Sequence, residues 1–387
     1  MDLIETFGAK IGALSEEKPQ RARQLLTAGF RANGVKNKLA SKRSSKSDRM
    51  LFQLVNRAMV TCLAKPQSNV MVSLFTPCEM LHLQGLHPYS CEGFSSYLSG
   101  AMAEQPFLHQ AEDTGIPNSL CSYHKVFIGA AQMGLMPKPR FILSTSLACD
   151  ANTLTFRHLA QFYDVPHFNV DIPFESSPQA VDYVAGQLRQ MGEFLTQQTG
   201  LPLDDGQLAR TVARSQRTMA LYHRGLRLRA GRQVLSDLTS ELLRTAAFHF
   251  LLGTPETEAY ARQLLREITT APPAQGKQLL WIHTTPYWVA PLRHLFAQST
   301  RVQVAACDMS YEGIVEADPT KPYEAMARRL VYSPFNGPAQ RRIDRALEMA
   351  KTVGADGAVW FCHWGCKHTL GGARLGKKAL EEAGLPT

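Results

Sequence analysis

The sequence lacks any run approaching the roughly 20 apolar residues of a membrane-spanning helix. Its first residues, MDLIETFGAKIGALSEE, have no basic stretch leading into an apolar core, so no secretory signal is expected. Acidic side chains are in deficit, 33 against 42 Lys and Arg, for a formal net charge of +9. No GxGxxG follows a strand-like run, which removes support for a dinucleotide site. No spaced carboxylate pair or serine–histidine arrangement marks a hydrolase. CxxC pairs, a usual source of structural zinc ligands, are missing from the eight cysteines. The expectation is a soluble, cytoplasmic protein whose cysteines stay reduced.

What is present is a chain of 387 residues, 44% hydrophobic and 19% charged, long enough for two or three globular domains. Residues 1–47 read as helical and run into a basic linker; Lys36 to Arg49 carries six basic residues and one acid, KNKLASKRSSKSDR. Strand-turn-helix alternation follows over 48–175, with strands at SNVMVSLF (68–75), RFILSTS (140–146) and HFNVDIPF (167–174). Residues 176–270 show mostly helical periodicity. The alternation resumes over 271–387: strands at 277–284, 301–308 and 356–362, helices at 287–298, 338–352 and 369–383, then Gly384 and Pro386 as a stop. This pattern predicts two parallel-sheet, Rossmann- or flavodoxin-like α/β domains joined by a helical section. A helix followed by Gly-Leu-Pro-Thr is also how a chain enters a further strand, so the sequence reads as cut short.

A second basic stretch, Arg210 to Arg232, includes Arg214, Arg217, Arg224, Arg227 and Arg229. Neither stretch carries interleaved aromatics or a nucleic-acid motif, so no nucleic-acid partner is expected. A solvated face or a polyanionic small molecule accounts for them. GGARLGKK nearly matches the phosphate loop from Gly371 to Lys377, but Lys378 stands where the magnesium-binding hydroxyl belongs.

Ligands of open α/β sheets bind beyond the carboxyl ends of the strands. Cys78, Cys149, Cys307, Cys362 and Cys366 all follow expected strands, and Cys121 stands at the start of a helical segment, where the dipole favours a thiolate. Cys62 and Cys91 have no such placement. FCHWGCKH (361–368) concentrates two cysteines and two histidines, and a local zinc site there is one reading. An iron–sulfur cluster assembled from dispersed cysteines across a domain crevice is the other.

Four segments carry a resemblance. TPCEMLHLQGLHPYS, NSLCSYHKVFIG, STSLACDANTLTFRHLAQFYDVPHFNVDIPF and HWGCKHTLGGARLGKKALEEAGLPT occur in order over roughly residues 68–387. Together they resemble the 2-hydroxyacyl-CoA dehydratases, which include the 2-hydroxyglutaryl-CoA dehydratase D-component, and in particular the smaller, β-type subunit. The resemblance implies a [4Fe–4S] cluster in the inter-domain crevice, held by Cys121, Cys149 and Cys366, with Glu79 and His363 as candidate catalytic residues. It implies a lyase that removes water from a 2-hydroxyacyl-CoA to give a 2-enoyl-CoA. One electron turns the thioester carbonyl into a ketyl radical, which expels the α-hydroxyl. The implied partners are a homologous subunit, in a heterodimer or homodimer, an ATP-dependent activator iron–sulfur protein and the acyl-CoA substrate. Alternatives inside the resemblance are a benzoyl-CoA reductase-like or double-cubane electron-transfer protein, and a non-catalytic relay subunit. The family continues past Leu-Pro-Thr into a further strand and helix, in keeping with the abrupt end.

Overall fold

The alternation of strand-like and helical runs builds two separate parallel sheets in the computed structural model, which describes residues 3–39, 45–234, 236–311 and 316–387. Helices α1 (Leu3–Glu17), α2 (Pro19–Leu39) and α3 (Lys46–Ala64) come first. The described ends of the expected basic linker, 36–39 and 46–49, are helical, and its residues 40–44 lie outside the described residues. Ser45 caps α3 by accepting from the Asp48 N–H at 3.0 Å.

The first sheet contains β1 (Asn69–Val72), β2 (His87–Ser90), β3 (Phe141–Thr145) and β4 (His167–Val170), ordered β2-β1-β3-β4 and all parallel. Its connections are α4 (Glu79–Leu83), α5 (Cys91–Gly100), α6 (Gln105–Asp113), α7 (Ser122–Gln132) and α8 (Asp150–Tyr163). β1 and β3 are buried at every position, as strands covered on both faces must be. β2 departs from the sequence expectation. Its sequence, HPYS, lacks a β-branched run, and Pro88 is tolerated because the strand lies at the sheet edge.

Helices α9 (Pro178–Thr199), α10 (Asp205–Leu228), α11 (Leu238–Phe250) and α12 (Pro255–Thr270) follow, capped by Ser177, Asp204, Asp237 and Thr254. The second sheet is β5 (Lys277–Ile282), β6 (Val302–Cys307) and β7 (Gly357–Trp360), ordered β6-β5-β7 and parallel. Around it lie α13 (Ala290–Phe296), α14 (Pro322–Val331), α15 (Ala339–Val353) and α16 (Lys367–Glu382). All six expected strands are shorter than the sequence suggests, most clearly 68–75, which is strand over 69–72, 167–174, over 167–170, and 356–362, over 357–360. After α16, Gly384 turns the chain at φ +82, and Pro386 O accepts from the Ala358 N–H of β7 at 2.8 Å.

The two sheets are interlocked by exchanged helices. α14, which follows β6 in sequence, buries Met326, Leu330 and Val331 in the core of the first sheet, with Val70, Val72 and Leu143. α3, which precedes β1, buries Leu51, Leu54 and Val55 in the core of the second, with Leu280 and Ile282. Each such side chain contributes about 1.5–3 kcal/mol on burial, so these faces hold the strand ends in register. The near phosphate loop is also explained. Gly372 and Gly376 seat α16 on Trp360, where a Cβ on Gly376 would overlap the indole ring. No helix among the described residues is long and apolar enough to cross a membrane.

Candidate functional site

The residues just past β1, β2, β3, β5, β6 and β7 line one cavity of about 1490 Å³, which α1 and α2 wall on another side. Cys121, Cys149 and Cys366 all line it, each as the residue before a helix: α7, α8 and α16 respectively. Their backbones are specialised. Ala148 and Gly365, the residues before two of the cysteines, are left-handed at φ 71 and +84. Gly365 packs so tightly that a Cβ there would lie 2.9 Å from Cys121 Cα, which brings the Cys366 loop against Cys121. His363 on that loop places Nδ1 3.9 Å from Cys121 Sγ, and Cys366 Sγ lies 3.1 Å from Thr369 Oγ1.

Burial pushes the Cys121 thiol up to about 12, with nearby Cys366 adding to the rise and the N–H groups of His124 and Tyr123 opposing it. Burial likewise raises Cys149 to about 11, opposed by the Asn152 and Ala151 N–H groups, while Cys366 and Glu92 add to it. The Cys121 and Cys149 thiols resist ionisation, and a cationic group would hold them as thiolates. No three His, Cys, Asp or Glu among the described residues are arranged to hold a single metal ion. Tetrahedral zinc, with Zn–S near 2.3 Å, needs thiolates about 3.8 Å apart. Within FCHWGCKH, Cys362 is exposed and His368 Nδ1 accepts from Arg342 Nη1 at 3.0 Å, so its side chains diverge. Soft donors spread around a cavity fit a larger metal–sulfide group.

Glu79 is not brought to this cavity. It is fully buried and bidentate to Arg329, at 2.7 and 3.1 Å, with the Ser215 hydroxyl donating at 2.9 Å. Burial raises its carboxyl, but Arg329 and the hydrogen bonds outweigh that and hold it low. It ties α4 to α10 and α14. Two carboxyl residues that do line the cavity are Asp150 and Glu92, and Glu92 accepts from the Leu74 N–H and the Ser90 hydroxyl. Burial raises Glu92, ahead of the opposing hydrogen bonds. Only recognition of β2 would have placed Glu92 at a strand end. Tyr123 also lines the cavity, its hydroxyl within 3.2 Å of Ser96 Oγ and 3.4 Å of Thr284 Oγ1.

Arg229 is buried rather than solvent-facing; it donates to Ala305 O and lies 3.7 Å from Glu241. Arg214 and Arg217 pair with Glu258, and Arg224 and Arg227 line a separate groove of about 400 Å³. Cys62, Cys78, Cys91 and Cys307 are buried in the cores. Cys91 follows a strand after all, since β2 ends at Ser90.

Residues 73–387 match the family described as 2-hydroxyglutaryl-CoA dehydratase, D-component. The chain is also similar to the (R)-phenyllactyl-CoA dehydratase alpha subunit of Clostridium sporogenes, 25% identical over 121 residues. That match takes in 29% of this chain and 30% of the relative's length.

Proposed function

Since the chain belongs to the family of the 2-hydroxyglutaryl-CoA dehydratase D-component, we propose that it is the iron–sulfur subunit of a 2-hydroxyacyl-CoA dehydratase. The reaction is loss of water from a 2-hydroxyacyl-CoA to give a 2-enoyl-CoA. One observation carries this assignment: Cys121, Cys149 and Cys366, far apart in sequence, line one cavity at the strand ends. A [4Fe–4S] cluster held by these three thiolates would supply low-potential one-electron chemistry.

The chain's own residues do the rest. The apolar walls, with Phe75, Leu242 and Phe335, exclude water and strengthen every polar contact inside. His363, whose imidazole burial lowers to about 4, is a neutral hydrogen-bonding group beside Cys121. Glu92, raised by burial, can hold a proton on its carboxyl within the cavity. The electron that makes the ketyl radical comes from a separate ATP-hydrolysing activator, and a homologous subunit completes the enzyme.

Titration of the anaerobically purified chain with lactoyl-CoA and phenyllactoyl-CoA, followed by iron–sulfur absorption and electron paramagnetic resonance, tests this. A spectral change with the chain alone is expected. A change that needs the partner subunit would make this chain a relay, and no change in either case would contradict the assignment.

A further inference from the structure

The sequence offered no reason to single out His283, yet it is the least conventional residue of the cavity wall. It is the first residue past β5, the central strand of the second sheet, and it lines the cavity shared by the three cysteines. Its φ is +81, a backbone conformation that L side chains rarely adopt. Among the described residues, Ala148 and His283 are the non-glycine residues that combine a positive φ with a place on this wall.

The unusual backbone is fastened on both sides. The His283 N–H donates to Asp308 Oδ1 at 2.7 Å, Arg342 Nε donates to Asp308 Oδ2 at 2.8 Å, and the Cys307 thiol donates to His283 O at 3.3 Å. With the main chain so committed, the imidazole is not: Nδ1 is buried and has no hydrogen-bond partner. Buried polar atoms are nearly always satisfied, so an orphaned nitrogen on a strained cavity-wall residue calls for a functional explanation. Burial and nearby Arg342 keep the ring neutral, so it can donate or accept.

We propose that His283 is a substrate-contacting residue, its imidazole hydrogen-bonding the 2-hydroxy-thioester head of the acyl-CoA. This rests on the dehydratase assignment above.

The test uses the anaerobic holoenzyme and two variants. His283→Gly relieves the backbone and removes the ring; His283→Asn keeps a polar nitrogen near the Nδ1 position and tolerates the left-handed φ. Affinities are measured for lactoyl-CoA against propanoyl-CoA and phenyllactoyl-CoA against 3-phenylpropanoyl-CoA, with iron, sulfide and thermal midpoint recorded for each variant. His283→Gly is expected to keep its iron and bind the hydroxyacyl esters about tenfold more weakly, with His283→Asn within about threefold of the parent. Loss confined to the hydroxylated ester of each pair identifies the hydroxyl as the partner, and equal loss for both identifies the thioester carbonyl. Unchanged affinity in His283→Gly, equal losses in both variants, or loss of iron would overturn the proposal. If the parent protein binds none of the four esters, the dehydratase assignment itself fails and takes this inference with it.

Discussion

Replacing Gly365 with alanine probes whether the Cys366 loop must lie against Cys121. The added Cβ would sit 2.9 Å from Cys121 Cα, 3.0 Å from Leu120 O and 3.1 Å from Cys121 N, all main-chain atoms that cannot swing aside. At φ +84 a non-glycine residue costs about 1–2 kcal/mol. Forced overlap in a packed site adds about 1–3 kcal/mol. A penalty of roughly 2–5 kcal/mol is most easily relieved by moving the loop 361–366, with its exposed Cys362 and Trp364, off Cys121, since unfolding would forfeit two interlocked cores. Gly365→Ala should therefore retain its helical circular dichroism and lose most of its iron and sulfide. Gly371, six residues further on in α16, is the control, because nothing lies within 4 Å of its Cβ position. Gly371→Ala should keep its iron and gain about 0.5–1 kcal/mol of helix stability. Wild-type iron in Gly365→Ala, or equal loss in both variants, would refute the reasoning.

Glu79→Ala should lower stability to denaturant by about 3–5 kcal/mol, because it breaks the buried bidentate Glu79–Arg329 ion pair, while iron content stays unchanged. Equal stability with lost turnover would restore Glu79 to a catalytic role. Gly376→Ala, facing the rigid Trp360 ring, should cost about 1–3 kcal/mol in the same denaturant assay; a neutral result would contradict the seating of α16. Burial lowers His82, His124 and His249 to about 4 from an ordinary 6.5. Between those values the unfolded chain binds protons that the folded one refuses, so stability is full above pH 6.5 and falls as pH drops toward 4. The loss is at most about 3 kcal/mol per histidine, and a denaturation midpoint equal at pH 5 and pH 7 would contradict it. Glu92→Gln should keep iron and sulfide but lose dehydration in the reconstituted enzyme; unchanged turnover would remove Glu92 from the chemistry.

The alternation of strands and helices was legible because buried parallel strands are short, apolar and β-branched, as VMV and FILST show. The cysteines were legible for a related reason. A strand end followed by a helix start is a local pattern, and Cys149 and Cys366 sit at such junctions, with Cys121 at a helix start. Partnership across the fold was not legible. Glu79 and Glu92 both stand in the first turn of a helix, and only tertiary structure puts Arg329 beside one and the cavity beside the other. Arg229 looks like its exposed neighbours in sequence but meets Glu241 in the core. β2 escaped notice because an edge strand needs no apolar run, and with it went the placement of Glu92 and Cys91. The exchange of α3 and α14 between the two cores leaves no periodic trace, since an amphipathic face does not name its partner.

The most direct measurement is iron, acid-labile sulfide and zinc per chain after purification without oxygen, for the parent protein and for Cys121→Ala, Cys149→Ala, Cys366→Ala and Cys362→Ala. About four irons and four sulfides are expected, as a [4Fe–4S] group requires, lost together in the first three variants and kept in Cys362→Ala. Zinc without sulfide, or iron and sulfide that survive removal of Cys121, Cys149 or Cys366, would contradict the central claim.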